Sequence, residues 1–266
     1  MKLGFLSAPF PGTPLAEVAD WAAANGFSML EVCCWPRSKG PARRYAGICH
    51  IDVDGLSEAQ AKEVVEDLAQ RGVGISGLAY YPNPLHPDPD HRAEAKKVWP
   101  DIVAHAADSG VKIAIENCPM IFSSDEWPSG HNLAYSPAIW RTVFDELGEN
   151  VGLNFDPSHL VWQMIDLQSA IDEFGERFYH VHAKDLEIDA KGLYDHGIMS
   201  LGMGWQVPRL PGLGEVDWRV FFSSLYRVGY DYVISIEHED RRFESTDELV
   251  KRGFLLARDV LTPYIK

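Results

Sequence analysis

The sequence predicts an α/β chain folded as a TIM-type (β/α) barrel, and three observations carry that reading. Short apolar runs alternate with longer amphipathic stretches from end to end, the pattern of repeated βα units around a parallel sheet. The length of 266 residues exceeds that of a usual single core, yet α/β barrels commonly run to about 250 residues as one domain. Several of the apolar runs end in an acid or a histidine, as strands do when they open on an active site. One catalytic domain over residues 1–266 is therefore expected.

Seven runs read as strands: Leu3 to Ser7, Met29 to Cys34, Val73 to Ala79, Val111 to Glu116, Val151 to Phe155, Phe178 to His182 and Tyr232 to Glu237. The helices between them are punctuated. Thr13-Pro14 opens the first with an N-cap and a proline at the first helical position, and Gly26 closes it. Ser57 with Gln60 forms a capping box, Ala61, Val64, Val65 and Leu68 make an apolar stripe, and Gly72 ends that helix. Ser136-Pro137 repeats the first device, with Gly148 after its helix. Pro82 to Asp90 is proline-rich and Ala183 to Glu215 is a long Gly-rich connection. Such stretches inside compact domains serve as lids or binding loops more often than as boundaries.

A formal net charge of -15 disfavours a nucleic acid or an anionic membrane as partner, since the basic pairs Arg43-Arg44 and Arg241-Arg242 form no stripe. Cys33, Cys34, Cys49 and Cys118 show no C-x-x-C spacing, and they read as reduced thiols of a cytoplasmic protein. The amino terminus MKLGFLSAPFPG lacks the pattern of a secretory signal. No run approaches the roughly 18 apolar residues of a spanning helix.

Alternation within each strand separates an outer, apolar face from an inner one. In VKIAIEN the outer set is Val111, Ile113 and Ile115, leaving Lys112, Ala114 and Glu116 inside. In VGLNFD, Gly152, Asn154 and Asp156 are inner; in FYHVHAKD, Phe178, His180, His182 and Lys184; in VISIE, Val233, Ser235 and Glu237. Four strands thus end on the inner face in Glu116, Asp156, His182 and Glu237. Three carboxylates and an imidazole suit a hard, near-octahedral divalent ion such as Mn²⁺, Mg²⁺ or Co²⁺. Singly, each has an ordinary structural reading: Asp156 before Pro157-Ser158 as a helix cap, a strand histidine as a core hydrogen-bonding group, Glu116 or Glu237 as the partner of a basic side chain. The joint pattern favours the metal. Lys184 is placed to polarise a carbonyl or to pair with Asp185. Glu31 is inner by parity and anchors either a ligand or a core network, His86 in the proline-rich loop is a candidate substrate contact, and Trp162 offers an apolar wall to a sugar or simply core.

The segments IAIENCP, GLNFDPSHLVWQ, HVHAKD, PGLGEVDW and ISIEHED resemble the xylose-isomerase-like TIM barrels. The likeness is to the sugar phosphate isomerase/epimerase group that includes the ketose 3-epimerases, and it spans nearly the whole chain. It implies that Glu116, Asp156, His182 and Glu237 bind one divalent metal, often Mn²⁺, and that the two glutamates are the acid/base pair on opposite faces of the substrate. It also implies substrate contacts for His159 and for Arg209, the arginine just before PGLG; an ordinary helix-end residue and a solvated loop arginine are the alternatives.

One departure stands out. The family has eight strands, and seven are legible; after Ala95 a further helix and strand of roughly 40 residues is missing, on the scale of one βα unit. Either the barrel is shortened or a segment is lacking, and in the first case exposed strand surface implies a homo-oligomer. The reaction expected is proton abstraction next to the carbonyl of a sugar or keto-sugar, with the ion stabilising the enediolate charge and a glutamate as base. Alternatives are a metal-dependent lyase or deglycosidase of 3-keto-glycosides, a non-catalytic sugar-binding protein, and an apurinic endonuclease-like enzyme, which needs three metals and a basic face.

Overall fold

The computed structural model describes residues 1–35, 47–81, 89–119, 132–200 and 204–266, without the side chains at 91 and 94. In chain order the elements are β1 (Lys2–Leu6), α1 (Leu15–Ala24), β2 (Met29–Cys33), α2 (Glu58–Gln70), β3 (Gly74–Ala79), α3 (Pro89–Ser109), β4 (Ile113–Glu116), α4 (Pro137–Leu147) and β5 (Val151–Phe155). They continue as α5 (Ser158–Val161), α6 (Leu167–Phe174), β6 (Phe178–Ala183), β7 (Asp185–Ile188), α7 (Ala190–His196), β8 (Gln206–Arg209), α8 (Trp218–Arg227), β9 (Val233–Ile236) and α9 (Asp247–Leu261). All seven expected strands are present, and β7 and β8 are additional.

Two compact units divide the chain: Met1–Tyr81 with Asp231–Lys266, and Pro82–Tyr230. In the first, parallel strands run in the order β3-β2-β1-β9. Its core is aromatic, with Phe5 and Phe254 at 4.5 Å between ring centroids and Phe10, Trp21 and Phe27 around them. In the second, the parallel order is β6-β5-β4, over a core of Trp140, Phe155, Phe174 and Phe221. Here β7 and β8 pair antiparallel, Asp185 opposite Arg209. The Gly-rich connection is thus partly ordered as a hairpin around α7 rather than as plain loop.

Local signals act as expected at some helix ends and shift at others. Ser57 and Gln60 form the capping box of α2, and Gly72, at φ +84°, ends it in a conformation that costs a side chain 1–2 kcal/mol by order of magnitude. Pro14 is the cap of α1 and not its first helical residue, and neither it nor Ser136 makes a side-chain capping bond. The stripe on α2 is narrower than its sequence suggests: Leu68 is buried, while Val65 is 55% exposed. A single helix, α3, runs through the point after Ala95 where an extra helix and strand were missing. Most of the proline-rich stretch, 82–88, lies outside the described residues.

A register shift between Leu153 and Asn154 corrects one side-chain assignment. Leu153 is matched with Phe178, but Asn154 with His180, so Tyr179 is the extra residue of a bulge. Phe178 therefore stacks on Phe155 at 4.2 Å on the apolar face, not on the face of His180. Beyond the bulge the alternation is restored, which leaves His180 and His182 where parity placed them.

Candidate metal centre

Strands β4, β5 and β6 are neighbours in one parallel sheet, so their carboxyl ends come out side by side. Glu116 closes β4, Asp156 follows β5, and His182 lies near the end of β6. One ligand atom from each of the three lies within 4.8 Å of the others. Asp156 and His182 are fully buried, and the Glu116 side chain is only 14% exposed.

Asp156 reconciles its two readings by dividing its oxygens between them. Oδ1 accepts the Ser158 N–H at 2.8 Å and caps the turn into α5. Oδ2 is buried and takes no part in that cap; its contacts are with the basic groups of Lys184 and His159. Asn117 fixes the backbone here: its Oδ1 accepts the Asp156 N–H at 2.7 Å and its Nδ2 donates to the Asp156 carbonyl at 3.0 Å. Asn132 donates to the Glu116 carbonyl. The Asn154 amide lies between two imidazoles, 2.9 Å from His182 Nε2 and 2.9 Å from His180 Nδ1.

Lys184 and His159 crowd the carboxylates. Lys184 Nζ lies 3.0 Å from Asp156 Oδ2, 3.9 Å from Glu116 Oε1 and 3.3 Å from His159 Nε2. His159 Nε2 lies 3.1 Å from Glu116 Oε1 and 3.2 Å from Asp156 Oδ2, while the Trp162 indole N–H reaches His159 Nδ1 at 3.4 Å. Burial disfavours a charged His159, but Cys118 and Asp156 outweigh it and Lys184, and the imidazole is held well above its usual range. Burial pushes the Cys118 thiol up. Cys118 also groups with Glu116 and His159, but a sulfur ligand suits a soft ion, so Glu116, Asp156 and His182 are the better donor set for a hard one.

Lys184 turns to Asp156 because Asp185 is otherwise engaged. The buried Asp185 carboxylate accepts the backbone N–H groups of Leu186, Gly212 and Val216 and the Trp218 indole N–H, all at 2.9–3.0 Å. A Cβ on Gly214 would stand 2.4 Å from Asp185 Oδ1, so this close approach requires glycine. Asp185 thereby ties the PGLGEVDW segment to β7. Arg209, one residue before that segment's Leu-Pro turn, is buried and donates from Nε to Glu187 Oε2 at 2.6 Å.

In the first unit, Glu237 is buried one residue beyond β9. Glu31 accepts the Tyr81 hydroxyl at 3.0 Å on Oε1 and the Ser235 hydroxyl at 3.1 Å on Oε2, the arrangement of a core network. Trp162 is half-buried, 6.4 Å from Trp205 between ring centroids. His86 lies outside the described residues. The sequence pattern points to no role for Asn117 or Asn154, and to Asp185 only as a candidate partner of Lys184. Asn154 was legible as an inner-face residue, and Asp185 as the acid beside Lys184. Asn117, next in line after an inner glutamate, falls by parity on the apolar face, and only its burial identifies it.

The family model for the xylose isomerase-like TIM barrel matches residues 92–259, more than half of the chain. The chain belongs to that family. It is therefore an α/β TIM-type barrel protein in which seven parallel strands are found among the described residues. An uncharacterized protein, YfiH of Bacillus subtilis (strain 168), is 34% identical, with 90% of this chain and 93% of that protein covered. The alignment extends over 311 positions against the 266 residues here, so that relative carries residues with no counterpart in this barrel. Similar solved structures include a D-psicose 3-epimerase from Clostridium cellulolyticum H10 with D-tagatose, at 16% identity and TM-score 0.64 over the full length of both chains. A xylose isomerase domain protein from Alicyclobacillus acidocaldarius has TM-score 0.65 at 14% identity over 99% of this chain and 98% of that one. An IolI protein with a bound zinc atom has TM-score 0.59 at 17% identity over the full length of both. At these identities the likeness is one of fold.

Proposed function

We propose that this protein is a divalent-metal-dependent isomerase or epimerase of a sugar or keto-sugar, built as one catalytic domain over residues 1–266. The observation that carries the reading is the convergence of Glu116, Asp156 and His182 within 4.8 Å, with the buried Asp156 Oδ2 in contact with the Lys184 ammonium and the His159 imidazole. Two carboxylates and an imidazole in a buried setting fit a hard divalent cation, with Mn²⁺ the first candidate, and the Lys184 ammonium and His159 imidazole beside them supply positive charge that the ion would take over. Glu237 is the proposed fourth ligand, on the grounds of its strand-end position and the family resemblance. When bound, the ion supplies a Lewis acid that draws charge from substrate oxygens.

The chain's own residues do the rest. One of Glu116 and Glu237 removes the proton from the carbon next to the carbonyl, and the other returns a proton from the opposite face, inverting the centre. Return to the adjacent carbon isomerises the sugar instead. Lys184, and His159 beside Glu116, offer donors to substrate oxygens as charge builds there, Arg209, Trp162 and His86 complete the proposed substrate contacts, and Glu31 acts from its core network. Leu78 on β3, which ends the strand order of its unit, is 57% exposed, and a homo-oligomer covering such edge surface is part of the proposal.

The test is metal analysis joined to a screen of free ketoses and keto-glycosides in deuterated water. Protein purified without chelator should carry about one divalent ion per chain. A ketose should gain deuterium next to its carbonyl and yield an epimer or isomer. Release of a free aglycone points to the lyase, several zinc ions per chain to the endonuclease-like enzyme, and binding without any exchange to a sugar-binding protein.

A further inference from the structure

Cys34 and Cys49 face each other across an isolated antiparallel bridge in the first unit. The bonds flanking it run from the Trp35 N–H to the Ile48 carbonyl at 3.2 Å and from the His50 N–H to the Cys33 carbonyl at 2.8 Å. That pattern makes Cys34 and Cys49 a non-hydrogen-bonded pair, the kind whose Cα atoms approach to about 4.5 Å with side chains on one face. Disulfides span Cα separations of about 4.4 to 6.8 Å, so the pair is within reach of a bond. Their neighbours Cys33 and Ile48 point the other way, into a buried cluster with Leu6, Ala8 and Ala79. The register therefore sets Cys34 against Cys49 and keeps Cys33 apart.

We propose that Cys34 and Cys49 form a reversible redox pair, closed to a disulfide by low-molecular-weight disulfides and reopened by thiols. Cys49 is the more accessible of the two, since Cys34 is only 3% exposed. Its thiolate attacks the small disulfide, forms a mixed disulfide and releases one thiol. Cys34, as thiolate, then attacks the Cys49 sulfur and expels the second thiol. Two protein thiols lose two electrons and two protons, and the small disulfide is reduced to two thiols. Burial pushes the Cys34 thiol up to about 12, so the second step is slow at neutral pH and accelerates as pH rises. The bond would fix the backbone next to Trp35, whose ring packs 5.7 Å from that of Tyr81, the residue that donates to Glu31.

The experiment uses the full chain, equilibrated with oxidised glutathione, alkylated, denatured and digested. Trypsin cuts at Arg37, Lys39, Arg43 and Arg44, so a Cys34–Cys49 bond joins two separate peptides. The expected result is that linked pair, a fall in free thiols from four to two, full return on reduction, and loss of the link in Cys34→Ser and in Cys49→Ser but not in Cys33→Ala. A mixed disulfide persisting on Cys49, a Cys33–Cys34 bond, or a link that survives Cys34→Ser would overturn the proposal. Cys33 and Cys34 share one tryptic peptide, so if a serine variant fails to fold, Cys33→Ala decides the matter: a link to Cys49 retained there is the Cys34–Cys49 bond, and its loss overturns the proposal.

Discussion

Two buried polar clusters, one in each unit, are built in opposite ways. In the first, polar side chains close on one another. The Cys33 N–H donates to Ser7 Oγ at 3.0 Å, and Ser7 Oγ lies 3.0 Å from His50 Nδ1. His50 Nε2 lies 3.0 Å from the Phe10 carbonyl. A carbonyl only accepts, so Nε2 carries the proton and Nδ1 accepts the Ser7 hydroxyl. In the second unit, Lys184 and His159 stand among Glu116 and Asp156, and both contact the buried Asp156 Oδ2. Closed networks of neutral groups hold a fold together, whereas crowded charges cost stability and persist where a ligand or a reaction uses them. Substitutions in the Ser7–His50 network should therefore act on folding, and those around Glu116 and Asp156 on binding or turnover.

The largest effect expected is on turnover. Glu116→Gln and Glu237→Gln keep side-chain length but cannot accept a proton as a carboxylate does. With metal in excess, each should lower turnover by a factor on the order of 10² to 10⁴ while the protein stays folded. One of them should still wash solvent deuterium into the substrate without net epimerisation. Undiminished turnover in metal-saturated Glu237→Gln would end the two-glutamate mechanism.

A paired substitution tests the contrast itself. Phe254→Ala removes a ring at the centre of the first unit's aromatic core and should cost about 3–5 kcal/mol in urea unfolding. Metal affinity of its folded fraction should stay unchanged. Asn154→Ala removes the amide between His180 and His182 and should weaken metal binding by about 10- to 100-fold, the usual worth of a group that orients a ligand. Equal metal affinity in Asn154→Ala and wild type would show that the amide is only a core filler.

The smallest effect is a pH dependence confined to the first unit. Burial pushes the His50 imidazole below its usual range, against the opposing pull of the Phe10 and Thr13 carbonyls. The unfolded chain then binds more protons than the folded one as pH falls below about 6.5. Stability from neutral His50 is thus fully present above that value and is lost as pH falls through the folded pKa. Denaturant midpoints of wild type and His50→Gln between about pH 5 and pH 7 should converge toward the acid end. A constant difference across that window would show that His50 does not titrate there.

What the sequence determines by itself is the alternation within each strand. Two-residue periodicity follows from backbone geometry alone, so Glu116, Asp156 and His182 could be set on one face with no knowledge of their neighbours. Punctuation was equally local: the Ser57–Gln60 box and Gly72 act within one turn of helix. Tertiary structure decided whatever depends on pairing between distant segments. The bulge at Tyr179 turned Phe178 onto Phe155, because strand register is set by the partner strand. The N–H groups of the 212–216 turn claimed Asp185, and Lys184 was left to Asp156. Asn117, on the wrong parity for the site, became the clamp on Asp156, since buried backbone groups take whatever partner the packed chain brings within reach.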